Sequence, residues 1–249
     1  MRAGRAAYLK YQRTQGPLKP VPIGSDQCPL WYDDAPGGLP FFFADTRTGR
    51  FGRDVRHLAK AKIMSKEQLQ ALLNWIDQFR DDPRPKFVVS ASMFLPTRVR
   101  CAMPTSSALH ADAWEGFTHS RNQVLAALVA DEGISNLVFL SGDEHHSSVT
   151  RIEVTDPATG KSVVCHSLHS SALYAPFVFA NGQPEDLFRQ KSQVAFQDAA
   201  GQGYQYSTRT EFVAGTNSFA VIDCYKVGEL WRMRYRFHLR DATWFGEFN

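Results

Sequence analysis

Long apolar runs are missing from this 249-residue chain. No stretch approaches the ~18 consecutive apolar residues that a membrane-spanning helix needs. The opening, MRAGRAAYLKYQRTQG, lacks an apolar core of leader-peptide length. Cytoplasm is therefore the default compartment, and export is the expectation if further chain precedes Met1. Cysteine is also scarce. Cys28, Cys101, Cys165 and Cys224 contain no CxxC pair, which argues against a zinc knuckle and a thioredoxin-type redox site. Two disulfides are allowed on parity, and free buried thiols fit equally well. The net charge of +3 permits an anionic substrate without demanding nucleic acid. There is no GxSxG, no Walker loop, no glycine-rich dinucleotide fingerprint, no HExxH and no EF-hand loop.

What is present is an ordinary globular composition, with enough length for one sizeable core. No internal repeat and no boundary demanding two domains is visible. Residues 1–38 read as irregular, because Pro17, Pro20, Pro22, Pro29 and Pro36 leave no room for a long helix after the first turns. Phe41 to Ala44 then reads as a buried strand, followed by a loop carrying Asp45, Arg47 and Arg50. Ser65 caps a helix with Gln68 three residues on, and Leu69, Leu72, Leu73, Ile76 and Phe79 make its apolar stripe. Phe87 to Ser90 is a strand. A loop from about Met93 to His119 leads to a second helix, which Ser120 caps with Gln123 and which Gly133 ends. Leu137 to Leu140 is the next strand.

The order strand, helix, strand, loop, helix, strand predicts a layered α/β core. SVTRIEV and KSVVCHSL flank the turn Asp156-Pro157-Ala158-Thr159-Gly160. Residues 181–210 look polar and without period. The chain closes on a hairpin turning at Lys226 to Glu229. In its last strand Trp231, Met233, Tyr235, Phe237 and Leu239 alternate with Arg232, Arg234, Arg236, His238 and Arg240.

The segment LVFLSGDEHHSS places Asp143, His145 and His146 just beyond a strand, where α/β sheets usually bind ligands. Carboxylate and imidazole are donors for divalent metals. Asp143 and His145, two apart, point to one side of an extended segment, and Gly142 lets the chain bend there. His146 points elsewhere, toward a phosphate oxygen or a neighbouring ligand. The alternative is a polar loop with ordinary hydrogen bonds. His166 and His169 form a second polar patch, either at the site or satisfying buried carbonyls. Arg47 can grip a phosphate or pair with Asp45 across a loop. Asp112, Trp114, Glu115, His119 and Arg121 cluster at the second helix, where Trp114 either walls a pocket or plugs the core and His119 can meet an anion. The terminal arginines either track a polyanion or line a half-exposed strand.

Several segments, in order, resemble one family. LVFLSGDEHHSS is similar to the late metal-site loop of the PhoD-like metallophosphatases, in the calcineurin-like phosphoesterase superfamily. FFFADTRTGR resembles that family's strand ending in Asp-x-Arg, MSKEQLQALLNWI its following helix, DAWEGFTHSRNQVLAAL its Asp-x-Trp-x-Gly segment and leucine-rich helix, and NSFAVIDCYKVGELWRMRYRF its closing strands. The resemblance covers residues 39–240 and implies a four-layer α/β/β/α metallophosphoesterase-like sandwich over 39–249, without its N-terminal strands. It implies hydrolysis of phosphomonoesters or phosphodiesters at a divalent or mixed metal centre of Fe, Ca, Mn or Zn. His145 takes the place of the late histidine ligand, with Asp143 beside it and His169 as a further donor. Asp143, His146 and Arg47 are the residues placed at the reacting ester. The superfamily's early Asp-x-His, Gly-Asp and Asn-His motifs have no counterpart before residue 39. The resemblance therefore points to a small phosphoester substrate, to a missing N-terminal half or a homodimer partner that completes the site, or to a non-catalytic binder of a phosphate-bearing ligand or protein.

Overall fold

The computed structural model describes residues 2–11, 29–51, 60–97, 112–170, 173 and 191–248. Four strands are parallel: β2 (Phe41–Ala44), β3 (Lys86–Ser90), β4 (Leu137–Ser141) and β6 (Lys161–His169). They sit in an eight-stranded sheet of order β1-β2-β3-β4-β6-β5-β8-β7. Here β1 is Tyr32–Asp34, β5 Ser147–Asp156, β7 Lys191–Gln197 and β8 Gly203–Ala214. All four pair antiparallel to their neighbours, so the sheet is mixed.

Side chains alternate across this sheet with the strand period. Phe42, Val88 and Phe139 share one register row and pack under two helices, α2 (Lys66–Gln78) and α3 (Thr118–Val129). Phe87, Val138 and Leu168 face the other way. There they meet Met233, Tyr235 and Phe237 of a three-stranded sheet built from β9 (Ser218–Val227), β10 (Leu230–Leu239) and β11 (Thr243–Phe248). Each such side chain contributes about 1.5–3 kcal/mol on burial. The layers so defined are helices, large sheet and small sheet. An outer helical layer on the small sheet, the fourth of the sandwich the resemblance implies, is not among the described residues.

Several expectations hold at atomic level. Ser65 Oγ accepts from the Gln68 N–H at 3.3 Å, capping α2, and Leu69, Leu72 and Ile76 are buried. The Asp156–Gly160 turn joins β5 to β6, and β9 and β10 form the closing hairpin. Met233, Tyr235 and Phe237 face inward while Arg234 and Arg236 pair with Glu247 and Asp223 at 3.2 and 3.0 Å. The arginine ladder is thus partly neutralised within its own sheet.

Other expectations are corrected. Ser120 does not cap α3; the helix begins at Thr118 after Phe117, without a side-chain cap. The Ser120 hydroxyl instead accepts from the Ile63 N–H at 3.2 Å, fastening the segment before α2. The leading residues are not wholly irregular, since α1 spans Arg2–Tyr11 and β1 follows at Tyr32. Residues 191–197 and 203–210 form strands, although the sequence there looks polar and without period. Phe196, Tyr204 and Tyr206 pack on the helix-side core, and the Gln, Ser and Thr between them mask the alternation. Residues 181–190 and much of the loop before Asp112 lie outside the described residues. So do Cys28 and Cys101; Cys165 and Cys224 are free thiols, which removes the two-disulfide arrangement.

Candidate functional site

A cleft of about 640 Å³ opens at the carboxyl ends of the parallel strands. Its walls include Ser90 at the end of β3 and Ala91 after it, Ser141 at the end of β4 and Gly142 after it, and Ser170 after β6. The segment after β2 supplies the charge. Asp45 accepts from the N–H groups of Arg47 and Thr48 at 2.9 and 3.0 Å and from the Thr48 hydroxyl. This carboxylate turn sets the direction in which Arg47 leaves the strand. The Arg47 guanidinium then donates to both Asp112 and Asp143, joining three loops that are distant in sequence.

Two arginines here differ in setting. Arg50 is 20% exposed; it donates to the Asp112 carboxylate, to Thr46 O at 2.5 Å, Ser92 Oγ at 2.9 Å and Asp112 O at 3.1 Å. It also lies over the Phe117 ring at 5.1 Å. Arg47 is 44% exposed and borders the cleft. Burial works to raise the Asp112 carboxyl, but the hydrogen bonds from Arg50 and then Arg47 outweigh it and hold the group below its ordinary range. Asp112 therefore stays ionised and keeps both guanidiniums in place.

The histidine turn is built differently from its sequence reading. Asp143, not Gly142, carries the left-handed backbone, with φ at 81°. That conformation turns the chain so that the Asp143 carboxylate reaches Arg47. His169 is fully buried, and both ring nitrogens are engaged: Nδ1 with Ser141 Oγ and Nε2 with the Glu144 carbonyl, each at 2.9 Å. A carbonyl only accepts, so Nε2 carries the proton and Nδ1 accepts from the serine hydroxyl. His169 thus ties β4, β6 and the turn together. His146 is buried against it, ring centroids 4.7 Å apart, with its Nδ1 3.9 Å from Glu144 Oε2. His145 is half-buried in the same turn.

The remaining candidates disperse. Trp114 fills the core and donates to Ser90 Oγ at 3.0 Å. His166 packs on Phe248, ring centroids 4.4 Å apart; burial, with a smaller push from Arg151, lowers its pKa to about 4, so it is neutral at pH 7. His119 borders a different cleft, beside Asn122 and Gln197, and burial followed by Lys62 lowers its pKa, which disfavours it as an anion receptor. Arg121 lies over Tyr206, 5.6 Å from its ring.

The chain was compared with known proteins. The PhoD-like phosphatase family matches over residues 2–215. The chain belongs to that family. The match takes in the leading residues and the segments from residue 39 onward up to residue 215, and stops before the closing strands. Among solved structures, "Structure of PhoD" superposes with a TM-score of 0.61 at 17% identity, covering 97% of this chain and 45% of that one. This chain thus spans under half the length of that relative, and the likeness is one of fold. No curated protein matches.

PhoD-like membership raises the question of a metal. Among the described residues, no three His, Cys, Asp or Glu side chains group closely enough to hold an ion. Asp143, His145 and His169 do not assemble as donors: Asp143 is ion-paired with Arg47, and His169 has spent both nitrogens on the fold. The described residues therefore do not fit a metal centre. What the PhoD-like cleft does present is a guanidinium on a fixed carboxylate frame. Sequence reasoning named Arg47 but missed that Asp112 and Asp143 hold it, because separations of 65 and 96 residues leave no local pattern. It also missed Arg5 and Tyr8 of α1 in the cleft wall.

Proposed function

We propose that this chain serves phosphoester hydrolysis of the PhoD type by binding and orienting the phosphate-bearing ester. The observation that carries this reading is Arg47 at the edge of the strand-end cleft, held from two sides by Asp112 and Asp143. A guanidinium offers paired donors that match two phosphate oxygens. The Asp143 end of the pair is 58% exposed. An exposed ion pair of this kind is worth about 0–1 kcal/mol, while a hydrogen bond to a charged partner contributes about 1.5–3 kcal/mol. A phosphate can therefore displace Asp143 from Arg47 at small cost. Asp143 tunes the guanidinium in this reading, and His146 supports the turn through His169.

Divalent or mixed metal centres in such enzymes supply a hydroxide nucleophile at neutral pH. In this reading His145 is one donor to such a centre, joined by donors from outside the described residues. A second reading is favoured by the occupied state of Asp143 and His169: a non-catalytic receptor for a phosphate-bearing ligand.

The two are separated by measuring phosphate affinity together with turnover of an aryl phosphate and a bis-aryl phosphodiester, with manganese, iron, calcium or zinc supplied. Binding with turnover supports the hydrolase, and binding alone supports the receptor. Absence of any Arg47-dependent phosphate binding overturns both.

A further inference from the structure

We infer that the ester this cleft receives carries a flat aromatic group, an aryl or nucleobase-bearing phosphate, with the ring seated against Tyr8, Tyr32 and Phe43. The inference rests on the phosphate-binding reading above and adds which class of ester it concerns. The cleft, at about 640 Å³, is far larger than a phosphate ion and has the size of a small-molecule site. Arg47 borders it, and Arg5 of α1 lines it too. The remaining space has an aromatic wall.

That wall is rigid where it comes from the sheet. Tyr32 and Phe43 are register partners across β1 and β2, and their rings stack at 4.6 Å with planes 16° apart. Both belong to strands, so the ladder fixes where their backbones stand, and each ring is packed on the other. Tyr8 joins them from α1, and its hydroxyl donates to the Leu30 carbonyl at 3.5 Å, which holds the helix to the chain entering β1. All three rings are half-buried rather than sealed in the core. Phe41, on the same side of β2, goes to the inter-sheet core instead. A planar group would meet ring surface here, whereas a short aliphatic alcohol gains no comparable contact.

The test compares inorganic phosphate, ethyl phosphate and phenyl phosphate by calorimetric titration. Phenyl phosphate is expected to bind about tenfold more tightly than ethyl phosphate, the ratio that ~1.4 kcal/mol of ring contact gives. In Tyr8→Leu and in Tyr32→Leu that ratio is expected to shrink to about threefold or less. Circular dichroism shows whether each variant is folded, and the wild-type ratio stands without either. Equal affinity for the two esters, with binding still lost in Arg47→Gln, overturns the aromatic inference and leaves the phosphate reading intact. A ratio that persists undiminished in both tyrosine variants also overturns it. No binding of any of the three compounds removes both conclusions.

Discussion

Replacing Arg47 by glutamine separates holding the fold from holding a ligand. Arg47 makes two ion pairs, but its own side chain is 44% exposed and its partners Asp112 and Asp143 are 42% and 58% exposed. Solvent screens such pairs, so their joint contribution is about 1 kcal/mol. For a chain of this length that corresponds to a fall in Tm of roughly 2–4 °C. Phosphate affinity should suffer far more, by roughly 10- to 150-fold, because a charge-assisted hydrogen bond disappears.

Arg50→Gln is the contrasting control. That side chain is 20% exposed and donates to two carbonyls, a serine hydroxyl and a carboxylate. Its loss leaves several buried acceptors unsatisfied and should cost about 3 kcal/mol, a Tm fall two to three times larger. Thermal melts followed by phosphate titration of each folded variant decide the matter. If Arg47→Gln melts as early as Arg50→Gln while phosphate affinity changes less than about threefold, Arg47 is a loop clamp and the argument from exposure is wrong.

Two further outcomes follow from the packing. His166 has its pKa lowered to about 4, against about 6.5 in the unfolded chain. The unfolded state therefore binds more protons between these values, so stability rises with pH through that window and falls by up to about 3 kcal/mol on acidification to pH 4; denaturant titrations of His166→Gln should show a flatter slope there. In Gly49→Ala, the added Cβ would lie 2.5 Å from the Ser65 backbone nitrogen and 3.0 Å from the Met64 carbonyl carbon. The resulting shift at the start of α2 should destabilise by about 1–3 kcal/mol, and an unchanged urea midpoint would contradict it.

The legible parts of the fold were those governed by short-range periodicity. β2, β3 and β4 were readable as apolar runs, α2 from its stripe and cap, and β10 from its strict alternation. β8 was obscured because Tyr204, Tyr206 and Thr208 carry much of its buried face and hydropathy scores them as polar, and β7 because only Val194 and Phe196 mark its inner side among polar neighbours. Ser120 misled for a related reason: a capping sequence states what a hydroxyl can do locally, while Ile63, 57 residues away, claimed it. In the site, the same limit applied to histidine. GDEHHSS reads as a row of donors, but nothing within it says that Ser141 and the Glu144 carbonyl consume both nitrogens of His169. Contacts at long sequence separation decided what each of these side chains was engaged in.

The hairpin of β5 and β6 within the large sheet has one end at the site and one far from it. His169 closes the near end, and the Asp156–Gly160 turn makes the far one. From Lys161 to His169, β6 extends roughly 25 Å at the usual rise per residue. Pro157, Ala158 and Gly160 at its tip therefore offer an attachment point. A dye or affinity tag placed there keeps its distance from Arg47, and the stiff ribbon between them gives distance measurements a fixed ruler.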